Sequence, residues 1–254
     1  MHQALFNSHY NLTAGEADAH SLMPVTLLVE RVIEIATRHA NCLDVGYDDL
    51  KTAGIGWVFS RMSALIERYP RINEEYALNT WIESYNRHFC ERCFDMVDAA
   101  GSLLASVRCT FVAIDMKNRT MADLASFERE AIPTLDRPCA VRPAPRMRRL
   151  PKDCEQSALH FGYCDIDFNR HVNTVRYIER VLDHWPLAHH DRNAVRRIDI
   201  AFSHELLYGE EATLRVAPAD GADGSTHECE IIAPDGTRAA TMRIAWQRRR
   251  DMEP

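Results

Sequence analysis

The 254-residue chain carries a formal charge of −7 and a pI near 5.9, so it lacks the basic footprint that nucleic-acid binding requires. With 46% hydrophobic and 26% charged residues, the composition is globular and excludes a fibrous repeat or a disordered chain. The length admits one large domain or two of about 100–130 residues.

The N-terminal stretch MHQALFNSHYNL has neither a basic leader nor an apolar core. No apolar run approaches the roughly 18 residues that span a bilayer. The expectation is a cytoplasmic protein without membrane contact. From Val25 to Ala36, Val25, Leu28, Val29, Val32 and Ala36 recur at helical spacing, which predicts an amphipathic helix. Residues 57–70, WVFSRMSALIERYP, are ambiguous, because Val58, Met62, Leu65 and Ile66 also fit one helix face. Strand is preferred for 57–68, since only that choice keeps the later strands in step between the two halves. EEYALNTW, FCERCFDMV and LLASVRCTFVAI then read as strands, with a turn at DAAG. The pair Cys90 and Cys93 has metal-ligand spacing but no second pair or HxxxH partner. Its strand-like flanks and the scatter of the other cysteines predict reduced thiols and no metal.

Residues 137–152, RPCAVRPAPRMRRLPK, hold four prolines, five arginines and no acid. Proline at that density prevents helix and sheet. The stretch therefore predicts a connector over 136–153 between domains at 1–135 and 154–254. A second stripe, Val172, Val175, Ile178, Val181, Leu182 and Trp185, predicts a helix over 171–185. RRIDIAFSHEL, EEATLRVA, HECEII and AATMRIAW read as strands, with a turn at PDG. The helices share "ERV" at 30–32 and 179–181, an offset of 149 (179 − 30), and later landmarks, Glu74-Glu75 and Glu210-Glu211, differ by 136 (210 − 74). A helix followed by antiparallel strands thus occurs twice, which places the chain in the α+β class.

Between the connector and the second helix, DIDFNRHVNT (165–174) gathers two aspartates, two asparagines and a histidine. Asn169 or Asp165 alone would suit a helix cap. Asp167, Asn169 and His171 at alternate positions, with Asn173 beyond, exceed what one cap needs. A helix N-terminus also presents N–H dipoles suited to a developing oxyanion. On the 149 offset the first half has Asp18, His20 and Leu22 here, so one active centre per chain is expected.

DIDFNRHVNTVRYIERVLD resembles the D-x-N-x-H-V-N-N-x-x-Y signature of the acyl-acyl-carrier-protein thioesterases, the enzymes that release fatty acids in plants and many bacteria. GIGWVFSRMSALIERYP and the stretch from TWIESYNRHF to KNRTM resemble that family's first half. The resemblance implies a tandem hot-dog fold, two long helices each wrapped by antiparallel sheet. It implies an acyl pocket in the first domain and catalysis in the second. It also implies hydrolysis of fatty acyl thioesters of acyl carrier protein by Asp167, Asn169, His171 and a glutamate matching Glu205, with Asn173 and Thr174 near substrate. Leu206 replaces the cysteine that follows the glutamate in many plant members, and Thr174 replaces the second asparagine. Which of Asp167 and Glu205 activates water stays open. Strict alternation turns Glu205 away from Ile198, Ile200, Phe202 and Leu206, which leaves two readings open, an exposed surface glutamate or one that a bulge near His204 re-aims.

The carrier protein is the implied partner, docking on Arg142, Arg146, Arg148 and Arg149 or on Arg248–Arg250, and a homodimer stays open. No phosphate loop or dinucleotide fingerprint is present, so water is the only co-substrate expected and no cofactor is. The rival readings are an acyl-CoA thioesterase of the same fold and a non-catalytic acyl-binding protein.

Overall fold

The structure, a computed structural model, describes residues 3–123, 132–219 and 224–249. It divides into two units, Met1–Pro143 and Ala144–Pro254. The first contains β1 (Leu5–Asn11), α1 (Val25–Cys42), α2 (Tyr47–Lys51), β2 (Ile55–Ile66), β3 (Glu75–Tyr85), β4 (Phe89–Asp98), β5 (Leu103–Asp115) and the short β6 (Thr120–Met121). Its strands pair antiparallel in the order β1-β3-β4-β5-β2, with β6 on β5. The second contains β7 (Glu155–His160), α3 (Thr174–Leu182), α4 (Leu187–His190), β8 (Asn193–Phe202), β9 (Glu211–Pro218), β10 (Thr226–Ile232) and β11 (Arg238–Arg248). Their order is β7-β9-β10-β11-β8. Apart from β6, the strand order of the first unit recurs in the second.

α1 starts at Val25 as its pattern predicts, and its buried stripe runs on through Ile35, His39 and Ala40. It ends in a Schellman turn: the Val45 amide donates to the Ala40 carbonyl (3.1 Å) and the Asp44 amide to the Asn41 carbonyl (3.3 Å). Asp44, at φ +55°, occupies the left-handed position usually given to glycine. Ala40, Leu43 and Val45 then pack with Ile82 and Cys90. Residues 57–66 are strand, paired with β5 from Ile55 opposite Asp115 to Ile66 opposite Ala105.

Two expectations are corrected. The second helix is not long: it covers nine residues, Thr174–Leu182, instead of 171–185, because Asn173 caps it at one end and Pro186 lies just past the other. β8 stops at Phe202 rather than running to Leu206.

The repeat extends to individual hydrogen bonds. Asp18 N donates to Leu22 O at 2.8 Å, and Asp167 N to His171 O at 2.8 Å. Met23 N reaches Pro70 O at 2.9 Å, and Val172 N reaches Leu206 O at 2.8 Å. The amide of Arg71 is held by the Glu74 carboxylate (2.9 Å), and that of Leu207 by Glu210 (2.8 Å). Both units thus place the helix-entry loop against the segment after the first long strand with the same ladder, whatever the side chains.

Candidate active site

In the loop before α3, the Asp167 Oδ1 accepts from the amides of Asn169 (2.8 Å) and His171 (3.1 Å). The Arg170 amide closes the turn on the Asp167 carbonyl at 3.0 Å. Arg170 sits at φ +67°, a left-handed conformation that costs an L-residue about 1–2 kcal/mol. This turn sets the direction of the His171 side chain. The helix cap itself is neither Asp165 nor Asn169. Asn173 takes that place, its side-chain oxygen accepting from the Val175 amide at 2.9 Å, because α3 starts only at Thr174.

Glu205 reaches the site although its neighbour Leu206 keeps the inward side of Ile198 and Ile200. Past Phe202, the amides of Ser203 and His204 both donate to the Ala239 carbonyl, at 2.9 and 3.2 Å. Two residues then oppose one, which ends the regular pairing of β8 with β11. Leu206 turns in, fully buried, while the Glu205 carboxylate comes within 3.4 Å of His171 Nε2. An antiparallel bridge between His171 and Leu207 fixes the approach. Both side chains stay partly open, His171 at 24% and Glu205 at 38% exposure, so water can enter.

Tyr177 supports this corner from α3. Its hydroxyl accepts from the Leu206 amide at 3.0 Å, and its ring lies between Phe161 and Phe202. Burial, followed by the charge of Glu205, pushes its hydroxyl pKa well up, so it stays protonated. Arg180 anchors the other side, both Asp165 oxygens accepting from it at 3.0 and 3.1 Å while Asp165 also takes the Gly162 amide. Residue-type reasoning missed these supports. For Tyr177 the signal was present, since it is the tyrosine that ends the motif.

Asp167, His171 and Glu205 are therefore brought together, and Asn169 lies exposed on the same turn. Thr174 is the first residue of α3. Arg142, Arg146, Arg148 and Arg149 are all exposed. Arg248 is exposed and Arg249 is tied to the His190 carbonyl, whereas Arg250 lies outside the described residues. In the first unit, Asp18 makes the same turn, accepting from His20 (2.8 Å) and Leu22 (3.1 Å). Leu22 stands where His171 does, and buried Tyr69 where Glu205 does, so the turn is present without the acid/base pair. Cys90 and Cys93 are buried on β4. No helix among the described residues is long and apolar enough to cross a membrane.

Two successive units, each with a helix and an antiparallel sheet in one strand order, define a tandem hot-dog protein. An acyl-ACP thioesterase from Bacteroides thetaiotaomicron has this fold, with a TM-score of 0.88 at 22% identity over 96% of this chain and 98% of that one. So has a 12:0-ACP thioesterase from Umbellularia californica, with a TM-score of 0.86 at 16% identity over 98% and 96%. The chain belongs to the acyl-ACP thioesterase family: the N-terminal domain model matches residues 3–128 and the C-terminal domain model residues 149–248. Its relatives include palmitoyl-acyl carrier protein thioesterases of Cuphea hookeriana, 21% identical over 96% of this chain and 62% of theirs, and of Arabidopsis thaliana, 22% identical over 95% and 64%. The chain thus spans less than two thirds of the length of these relatives.

Proposed function

We propose that the chain hydrolyses fatty acyl thioesters of acyl carrier protein, releasing the free fatty acid. The observation that carries this reading is the contact of His171 Nε2 with the Glu205 carboxylate on a turn held by Asp167. A thioester needs an activated water, a polarised carbonyl and a proton for the departing thiolate. Glu205, oriented by the imidazole, takes the proton of the attacking water. His171 hands a proton to the thiolate. The exposed Asn169 amide polarises the carbonyl oxygen. Asp167 holds the turn, its Oδ1 accepting from two amides, and Asn173 caps α3 through its side-chain oxygen.

In this reading the first unit serves acyl binding and the second chemistry, with residues 136–153 as connector. The exposed Arg142, Arg146, Arg148 and Arg149 face the acidic carrier protein. Reversing their charge raises KM for the carrier-linked substrate and flattens its salt dependence; an unchanged KM rejects this docking strip.

The test is thiol release from acyl-carrier-protein and acyl-CoA substrates of equal chain length. His171→Ala and Glu205→Gln each lower kcat by about 10²–10⁴. Near-normal turnover by both variants rejects the assignment, and faster turnover of the CoA ester by the unaltered chain rejects the carrier.

A further inference from the structure

The function just proposed leaves one buried nucleophilic cluster unused, in the first unit. Residues 132–143 have neither helix nor strand and cross β3, β4 and β5 as a strap. The Leu135 amide donates to Ile82 O (2.9 Å), Trp81 Nε1 to Arg137 O (2.9 Å), and Arg108 Nε to Val141 O (3.2 Å). The Arg137 guanidinium lies 4.6 Å from the centre of the Trp81 ring and pairs with Asp95 at 2.7 Å. Beneath the strap, the Cys139 thiol donates to the Val107 carbonyl at 3.7 Å, next to Arg108, which lies directly opposite Cys93 in the β4–β5 register, and the two thiols interact. Arg108 and Glu83, paired to each other through both terminal guanidinium nitrogens, complete the cluster. Cys93 is fully buried, whereas Cys139 is partly open to solvent.

We propose that Cys139 and Cys93 form a peroxide-oxidisable dithiol whose disulfide fastens the strap to the sheet. Cys139 on the strap and Cys93 on β4 both flank Arg108, so little backbone movement is needed to bring the two sulfurs together. Their surroundings differ in the way a reactive and a resolving thiol do. Cys139 is drawn toward its thiolate by the Cys93 hydrogen bond first, then, against the opposing effect of burial, by the Val141 amide and the Arg108 charge. Cys93 is held protonated, first by the bond it donates to Cys139 and then by burial.

The chemistry balances with a hydroperoxide as oxidant. The Cys139 thiolate attacks the outer peroxide oxygen and the O–O bond breaks. The alkoxide or hydroxide formed takes a proton, and Cys139 becomes a sulfenic acid. Cys93 then attacks that sulfur. The S–S bond forms, the S–O bond breaks, and hydroxide leaves with the Cys93 proton as water. Two thiols are oxidised and one hydroperoxide is reduced to alcohol or water.

The experiment treats the full chain with hydrogen peroxide, alkylates the remaining thiols and maps the peptides. The expected result is a Cys93–Cys139 disulfide, a mass loss of two hydrogen atoms reversed by dithiothreitol, and a melting temperature raised by several degrees on oxidation. Cys93→Ser should leave Cys139 as a sulfenic acid trapped by dimedone. Cys139→Ser should leave Cys93 unmodified while the exposed Cys42 and Cys164 still react. The proposal is overturned if Cys93 and Cys139 are recovered as free thiols under peroxide that modifies Cys42 and Cys164. It is equally overturned if Cys139 is no more reactive than those two. The unaltered chain alone decides between these outcomes, so poor folding of a serine variant leaves the test intact.

Discussion

At the scale of the residue, the two Asp turns separate scaffold from chemistry. Asp18 and Asp167 accept the same pair of amides, but only the second turn carries a histidine facing a glutamate. Replacing Asp18 with Ala should therefore lower the melting temperature and leave kcat intact, whereas Asp167→Ala should lower both; thermal melts beside a thiol-release assay distinguish them. Asn173→Ala should cost about 1 kcal/mol, with most of it restored by Asn173→Ser, as urea titration would show. The motif residues were legible in the sequence because one ten-residue stretch carries them. Asn173 as the cap was not, because five side chains in that stretch are chemically fit to cap and only the start of α3 decides among them. The contact of Cys93 with Cys139 was illegible because it depends on where an irregular strap crosses the sheet.

At the scale of the element, the sequence read best where a period repeats without interruption. α1 begins where its stripe begins, whereas β2, whose pattern also fits a helix face, is settled by its pairing with β5 on both sides of a bulge at Ser60. It read worst where a backbone bond pattern ends an element. β8 yields to the doubled acceptor at Ala239, and no residue type in FSHEL announces that. The short β1, β7, α2 and α4 have too few residues to show a period. Tyr177 links α3 to the segment after β8 through a single hydroxyl. Its loss leaves the buried Leu206 amide unsatisfied, at a cost of about 1–3 kcal/mol. Tyr177→Phe should accordingly lower stability and also kcat, with little change in KM, since Leu206 adjoins Glu205; an unchanged kcat would show that Glu205 is positioned from elsewhere.

At the scale of the whole molecule, acid should weaken the fold through its buried histidines. His39 is fully buried on α1, its Nδ1 2.8 Å from Arg92 and its Nε2 2.8 Å from the Gln3 carbonyl. Burial, then the Arg92 charge, lowers its pKa to about 4, and burial also lowers His189 and His227. As pH falls below about 6.5 the unfolded chain takes up protons that the folded chain refuses, so stability declines down to about pH 4 and this contribution then levels off. Melting temperatures across that window should fall more steeply for the unaltered chain than for His39→Gln; parallel curves would rule His39 out as a source. The same hydrogen-bonded loop in both units has a practical consequence. The first unit shows that the loop accepts His and Leu at the positions of Asn169 and His171, so a chain with Asn169→His and His171→Leu should fold normally yet leave its thioester uncut, giving a substrate trap in which the intact acyl carrier can be captured.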